Sequence, residues 1–156
     1  AWSRARALEM SRFLADHAFE LVEQPLPPDD IDGLRILTGA SPIPVIADES
    51  CRTSADIPRL DGAVHSINIK LSKCGGLAEA ARMARDAAAR GMSVMLGCMV
   101  ESTLGIAGAA HLASLANYVD LDGAALLSDD PFTGVSIEDG VIRVSQAAGL
   151  GVTPRT

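Results

Sequence analysis

Short apolar runs alternate with helix-like segments along most of the chain, and this alternation limits the folds open to it. Five runs have the length and composition of buried strands. They lie at residues 19–23, 44–48, 63–71, 93–97 and 118–121. A segment with helical character precedes the first run, and another follows each of the first four runs. Gly91 marks the end of the helix predicted over 77–90. Repeating strand–helix units predict an α/β fold with a parallel sheet covered by helices.

Polar side chains stand at the ends of the first three predicted strands. Glu23 closes the first strand, Asp48 the second, and Lys70 lies near the end of the third. The carboxyl ends of parallel strands meet at one face, where a barrel of strand–helix units keeps its chemistry. Two converging carboxylates suit a cation with oxygen ligands such as Mg²⁺, and a lysine beside that cation is a candidate base. The pattern therefore favours part of an enzyme.

Composition and charge exclude several kinds of partner. The net charge is −7 and no basic block is present, so we expect neither a nucleic acid nor an anionic membrane as a partner. No apolar run approaches the roughly 20 residues of a membrane span. Cys51, Cys74 and Cys98 are odd in number and lack the paired spacing of metal ligands. We interpret them as reduced thiols, which predicts a cytoplasmic location. Assembly of the protein into a homo-oligomer stays an open alternative.

Two arrangements of the predicted strands compete. A closed (β/α) barrel needs eight strands and typically about 250 residues, whereas this chain has 156 residues. An open doubly wound sheet would instead carry a Gly-rich phosphate loop after its first strand, and none is found. Polar residues also recur at the ends of several strands, whereas an open sheet concentrates its ligand groups at one switch point. We therefore predict an incomplete barrel over 1–131. Residues 132–156 break the alternation, and Glu138-Asp139-Gly140 predicts a hairpin outside the barrel.

Four motifs in series resemble the enolase superfamily, in its muconate-lactonizing subgroup. In chain order they are Val22-Glu23-Gln24-Pro25, Ala47-Asp48-Glu49-Ser50, the run from Asn68 to Gly76, and Met99-Val100-Glu101-Ser102. A fifth motif, Asp120-Leu121-Asp122, resembles the Asp-x-Asp pair of the dipeptide epimerases, which include the L-Ala-D/L-Glu epimerases. The resemblance implies the C-terminal portion of an enolase-superfamily (β/α) barrel, with 132–156 packing on an N-terminal capping domain.

The resemblance also implies an activity. It is a Mg²⁺-dependent isomerase that epimerises a dipeptide by α-proton abstraction through a metal-stabilised ene-diolate, a chemistry in which this superfamily pairs metal ions with a Lys or His base. Glu23 and Asp48 would be two of three metal ligands, and Lys70 would be one of two bases. The third ligand and the second catalytic lysine are expected upstream of Ala1.

The substrate contacts are predicted from the later motifs. Asp120 and Asp122 are two apart on a predicted strand, so their side chains point to one side. Two neighbouring acids repel each other unless a cation joins them, and the α-ammonium of a dipeptide would be such a cation. The other side chains expected to line the substrate pocket are Asn68, Cys98, Met99 and Glu101.

Alternatives stay open for several of these residues and for the function. Glu101 is equally well placed as an acid at a helix N-terminus, and the Asp120–Asp122 pair could cap a helix or pair with an arginine. Lys73 is either a solvated charge or an auxiliary cation of the site. Other functions in the same superfamily are those of N-acylamino-acid racemases, o-succinylbenzoate synthases and muconate cycloisomerases. A non-catalytic fragment is the alternative outside enzymology.

Overall fold

The computed structural model describes residues 1–156, and its centre is a five-stranded parallel sheet. The strands are β1 (Val22–Glu23), β2 (Val45–Ala47), β3 (Ser66–Lys70), β4 (Ser93–Gly97) and β5 (Tyr118–Val119). They lie side by side in chain order, β1-β2-β3-β4-β5, and every pair is parallel. A doubly wound sheet reverses its strand order at a switch point. The unbroken order confirms the prediction of part of a (β/α) barrel.

Helices connect the strands and cover one face of the sheet. They are α1 (Arg4–Asp16), α2 (Ile31–Ala40), α3 (Ile57–Leu60), α4 (Leu71–Cys74), α5 (Leu77–Ala88) and α6 (Thr103–Ala110). The side chains of Ser3 and Asp30 accept hydrogen bonds from the first turns of α1 and α2, which satisfies backbone donors that a helix start leaves free. Short polar residues at these two positions therefore set where the helices begin.

Several element boundaries differ from the sequence-based prediction. Strand β1 is shorter because Ala18 has a left-handed backbone, with φ of 59°, and the following Phe19 is exposed. Strand β3 ends at Lys70 because Leu71 starts α4. Gly91, with φ of 73°, does form the predicted turn before β4.

The two faces of the sheet have different partners. On β3, Ile67 and Ile69 point outwards into a core of 22 buried residues shared with the helices, among them Leu34 and Met83. Full burial of such a side chain stabilises the fold by about 1.5–3 kcal/mol. Because side chains alternate along a strand, the other residues of β3 point to the inner face and end at Lys70. The inner face is thus the face that carries the polar residues.

The C-terminal residues form two small antiparallel pairs outside the parallel sheet. Strands β7 (Val135–Glu138) and β8 (Val141–Val144) make the predicted hairpin, and its turn residues Asp139 and Gly140 both have positive φ. This backbone is that of the type I′ turn that suits two-residue hairpin loops. Hairpin residues pack on a small cluster that contains Ile106 of α6. Strands β6 (Phe132–Thr133) and β9 (Thr153–Pro154) form the second pair. Packing of this segment on a capping domain stays a prediction.

Two chain-wide features bear on the composition-based expectations. None of the helices combines the length and the apolar character that crossing a bilayer requires. The three cysteines are unpaired: Cys51 and Cys74 are buried, and Cys98 is half-buried. Burial raises the pKa of the Cys51 thiol to about 12, so this thiol is chemically inert near neutral pH.

Candidate active site

Lys70 lies between the two carboxylates that the sequence predicts as metal ligands. Its Nζ is 2.7 Å from Asp48 Oδ2 and 3.5 Å from Glu23 Oε1, and its side chain is only 13% exposed. The three residues come from the carboxyl ends of β1, β2 and β3, which are neighbours in the sheet. The structure thus brings the predicted catalytic lysine and both predicted ligands into one cluster.

The parallel register explains why these side chains meet. Glu23 is paired with Ile46 of β2, and Ala47 is paired with Ile67 of β3, so Asp48 lies beside Asn68 at the next position along the sheet. Side chains that are neighbours in a parallel register point to the same face. The ends of three short strands therefore place their polar residues on the inner face at similar heights.

Asp48 is held by two ammonium groups. It is 5% exposed, Lys70 Nζ donates to Oδ2, and Lys73 Nζ donates to Oδ1 at 2.8 Å. Burial opposes the charged form of this carboxyl, but the hydrogen bonds from the two lysines outweigh it, and the pKa of Asp48 lies below its ordinary value. Lys73 also contacts Glu49 at 3.4 Å. Of the two interpretations of Lys73, the structure supports the auxiliary cation.

The electrostatic environment holds Lys70 in its charged form. Burial lowers the pKa of Lys70, but the hydrogen bond to Asp48 and the charges of Asp48 and Glu23 outweigh burial and raise the pKa above its ordinary value. With these neighbours alone, the lysine is placed to donate a proton. A cation that neutralises the two carboxylates would lower the pKa of Lys70 and favour its action as a base.

Asn68 contacts Glu23 on the inner face. Its Nδ2 donates to Glu23 Oε1 at 2.7 Å, its residue is 2% exposed, and its Oδ1 is buried without a hydrogen-bond partner. A β-carbon on Gly97 would lie only 2.5 Å from Asn68 Oδ1, so the missing side chain at Gly97 makes room for the amide. The contact that the structure shows for Asn68 is one that orients Glu23. A contact with substrate stays a prediction.

Asp120 and Asp122 are both exposed and flank the buried Leu121. Strand β5 ends before them, at Val119, which corrects the prediction that both lie on the strand. The Asp120 N–H still donates to the Leu96 carbonyl of β4 at 2.9 Å, which extends the ladder to Asp120, whereas Asp122 has left the extended conformation, with φ of −88° and ψ of 0°. Neither carboxylate forms an ion pair with a lysine or arginine of the chain.

The loop after β4 carries the remaining predicted site residues. Burial raises the pKa of the Cys98 thiol, and the charges of Asp120, Glu101 and Asp122 add to this effect. The hydrogen bond with the Gly123 backbone acts in the opposite direction and lowers this pKa. A β-carbon on Gly123 would lie 2.0 Å from the Met99 carbonyl oxygen. The loop after β4, which contains Met99, is therefore in direct contact with the segment after β5, which contains Gly123.

Met99 and Glu101 differ in what the structure shows. Met99 is 48% exposed, which leaves its side chain open to a ligand. The Glu101 Oε1 accepts the Met99 N–H at 3.1 Å, and its carboxylate lies against Gly105 in the first turn of α6. This geometry supports the alternative interpretation of Glu101 as an acid at a helix N-terminus. Its contact with a substrate stays a prediction.

Two residues other than the predicted ligands and base contribute to the site. The Gln24 side chain follows Glu23 and accepts the backbone N–H of Asp48 at 2.9 Å, and its amide also contacts the buried Ser50. Both residues belong to motifs quoted above, but nothing in their residue types predicts that the two loops are joined by side chains. Only the adjacency of each to a predicted ligand could have pointed to them.

The donor set at this cluster fits a divalent cation with oxygen ligands. Glu23 and Asp48 share one small ammonium group, so one compact cation can neutralise both, and carboxylate oxygens are the ligands that Mg²⁺ prefers. No group of three or more His, Cys, Asp or Glu side chains in the chain is arranged to hold a metal ion. Glu23 and Asp48 are therefore the two candidate metal ligands of the chain, and their binding of a cation stays a prediction.

Comparison with known proteins places this geometry in a family. The chain is 43% identical over 152 residues to an L-Ala-D/L-amino acid epimerase of Flavobacterium johnsoniae, a match that covers 97% of this chain and 45% of the relative. It is 47% identical over 131 residues to an N-acetyl-D-glutamate racemase of a Pseudoalteromonas species, covering 84% of this chain and 41% of the relative. The chain thus spans less than half the length of these relatives.

A solved structure has the same fold over nearly all of the chain. It is a dipeptide epimerase from Enterococcus faecalis complexed with Mg and the dipeptide L-Leu-L-Tyr. The two share 40% identity with a TM-score of 0.92, and the match covers 98% of this chain and 46% of that one. The family model described as enolase C-terminal domain-like matches residues 1–156. The sequence motifs, the strand order and these matches agree, and the chain belongs to the enolase C-terminal domain-like family.

Proposed function

We propose that the full-length protein containing this chain is a Mg²⁺-dependent epimerase of dipeptides. The observation that carries the proposal is the position of Lys70, whose Nζ lies within 3.5 Å of both Glu23 and Asp48. A proton-transfer group beside two carboxylates that can share a cation is the arrangement that α-proton removal next to a carboxylate requires. The epimerase relatives of both comparisons support the assignment.

Each residue of the cluster has a distinct role in this proposal. Glu23 and Asp48 would hold Mg²⁺, which would supply stabilisation for the negative charge that develops on the substrate carboxylate. Lys70 transfers the α-proton on one face of the substrate, and Lys73 keeps Asp48 ionised and in place. A second acid/base on the opposite face, and further metal ligands, would come from parts of the protein outside this chain.

Free thiols support the cytosol as the location of the protein.

The proposed substrate class rests on Asp120 and Asp122. Both carboxylates are exposed and neither takes part in an ion pair of the chain, so a positively charged group of the substrate can lie between them. The α-ammonium of a dipeptide supplies three donors of the right sign. The second candidate is an N-acylamino-acid racemase, which the N-acetyl-D-glutamate racemase relative favours. An N-acylated substrate has no ammonium group for the two carboxylates to bind.

Replacing Asp122 with asparagine should distinguish the two substrate classes. Charge-assisted hydrogen bonds contribute on the order of 1.5–3 kcal/mol each. We therefore expect Asp122→Asn in the full-length enzyme to lower kcat/KM for L-Ala-L-Glu-type dipeptides by roughly ten- to a hundredfold. N-acetyl and N-succinyl amino acids should be affected much less. Steady-state epimerisation rates followed by polarimetry measure both.

A matched control is Asp139→Asn in the hairpin turn. It makes the same change of charge at a position with φ of 50°, a backbone that asparagine tolerates well. We expect this variant to leave both substrate classes unchanged. A wild-type enzyme that prefers N-acylated amino acids over dipeptides would replace the dipeptide assignment with the N-acylamino-acid racemase.

A further inference from the structure

Gln24 has an unusual backbone conformation directly after a proposed metal ligand. Its φ is 38°, in the left-handed region, although it is not a glycine and carries a full side chain. That region brings a β-carbon close to the backbone, so a residue with a side chain remains there only when surrounding contacts hold it. The Gln24 N–H donates to the Ile46 carbonyl of β2 at 2.8 Å, so the position is also fixed to the neighbouring strand.

The contacts that hold Gln24 use the whole capacity of its side-chain amide. Oε1 accepts the backbone N–H groups of Asp48 at 2.9 Å and Ser50 at 3.1 Å. Nε2 donates to the Leu26 carbonyl and to Ser50 Oγ, both at 2.9 Å. A primary amide offers two donors and two acceptor positions, and all four are used within the protein. The side chain has no group left for a substrate or a metal.

Ser50 completes the connection between the loops after β1 and β2. Its residue is fully buried, its Oγ donates to the Pro28 carbonyl at 2.8 Å, and its own carbonyl accepts Arg59 Nη2 at 2.8 Å. Gln24 and Ser50 therefore cross-link the two loops through side chains. Gln24 directly follows Glu23 in the chain, and its side chain holds the backbone of Asp48.

We propose that Gln24 is a positioning residue that sets the spacing of the Glu23 and Asp48 carboxylates and thereby the affinity of the site for its divalent cation. The inference rests on the proposed function, because it takes these two carboxylates as the metal ligands. The strained backbone turns the chain immediately after Glu23, and the amide fixes the peptide of Asp48. Loss of the amide would let the two loops move apart, so that the cation could no longer bind both carboxylates at once.

The test is cation affinity in the full-length enzyme without substrate. Mn²⁺ replaces Mg²⁺ because free Mn²⁺ is measured directly by electron paramagnetic resonance. Gln24→Met keeps the side-chain length and removes all four hydrogen bonds. Loss of partners that orient metal ligands typically weakens binding by about 10- to 100-fold, and we expect the Mn²⁺ Kd of Gln24→Met to rise by that factor. High Mg²⁺ should restore part of its epimerase activity.

The matched control removes a comparable hydrogen bond far from the cluster. Thr38 Oγ1 donates to the Ala63 carbonyl at 2.8 Å, near the opposite end of β3. Thr38→Val should lower the melting temperature while leaving the Mn²⁺ Kd within about twofold of wild type, because no ligand-orienting contact is lost. A Gln24→Met enzyme with a lowered melting temperature and an unchanged Kd would overturn the proposal and leave Gln24 with a purely structural role.

Ser50→Ala keeps the proposal testable if Gln24→Met does not fold. It removes one contact of the Gln24 amide and the bond to Pro28 but keeps the hydrogen bond to Asp48. Its Mn²⁺ Kd should rise roughly threefold to tenfold, and an unchanged Kd would contradict the inference. Glu23→Gln distinguishes a failure of the Gln24 inference from a failure of the proposed function. If Glu23→Gln also leaves the Mn²⁺ Kd unchanged, the cation does not bind these carboxylates, and it is the proposed function that fails.

Discussion

Replacing Asp48 with asparagine is expected to abolish turnover in the full-length enzyme. The substitution removes a charged ligand of the proposed Mg²⁺, and a metal that polarises a carboxylate contributes several kcal/mol to transition-state stabilisation. A loss of about 4 kcal/mol corresponds to a roughly thousandfold decrease of kcat/KM. Asparagine has one oxygen that can accept from Lys70 or Lys73 but not from both, so we expect a lower melting temperature with the fold retained. Epimerisation rates and a thermal melt together measure both effects.

Glu23→Gln should give the same loss of activity with even less effect on folding. Glutamine retains the Oε1 that accepts Asn68 Nδ2 in the wild-type structure, and it changes only the charge. Glu20→Gln is the matched control, because Glu20 is exposed and lies three residues before Glu23, outside β1. If Asp48→Asn or Glu23→Gln retained turnover at ordinary Mg²⁺ concentration, the metal-ligand assignment would be wrong.

Lys70→Ala should separate the two stereoisomers of the substrate. A base that serves one face removes the α-proton from one isomer only, while the other isomer is served from the opposite face. General acid–base catalysis contributes about 10²–10⁴-fold, so deuterium exchange at the α-carbon of one isomer should fall by that factor. The other isomer should lose exchange much less. Proton NMR in D₂O, starting separately from each isomer, measures the two rates.

Lys73→Ala is the comparison variant for Lys70. Both ammonium groups donate to Asp48, at 2.7 and 2.8 Å, but Lys73 lies on α4 beyond the end of β3. Acting through Asp48 rather than on the substrate, Lys73 should affect the two isomers equally. An equal loss of exchange for both isomers in Lys70→Ala would contradict its role on one face.

The parallel sheet and the ligand cluster were predictable because they follow from local patterns. Apolar runs that end in Glu23, Asp48 and Lys70 identify strands whose carboxyl ends converge, and the structure brings these three side chains together. The Asp139-Gly140 turn of the hairpin was equally readable, since a type I′ turn selects these residue types. In each case one short segment contains the information.

Features that depend on contacts between distant segments were not predictable from the sequence. The Gln24 amide meets Ser50 across 26 positions of the chain, and no propensity of glutamine points to such a contact. The alternation with Lys70 predicts that Asn68 lies on the inner face, but its hydrogen bond to Glu23 depends on the packing of β3 in the same sheet as β1 and β2. The pKa of Lys70 also depends on neighbours from two other strands.

The most direct test of the central claim is α-proton exchange by the full-length enzyme with and without Mg²⁺. In D₂O, a dipeptide with a free amino group should incorporate deuterium at its epimerised α-carbon when Mg²⁺ is present. Treatment with a chelator should stop the incorporation, because without the cation the carboxylates of Glu23 and Asp48 hold Lys70 in its charged form. Added Mg²⁺ should restore the incorporation. Undiminished incorporation by the chelated enzyme would contradict the account.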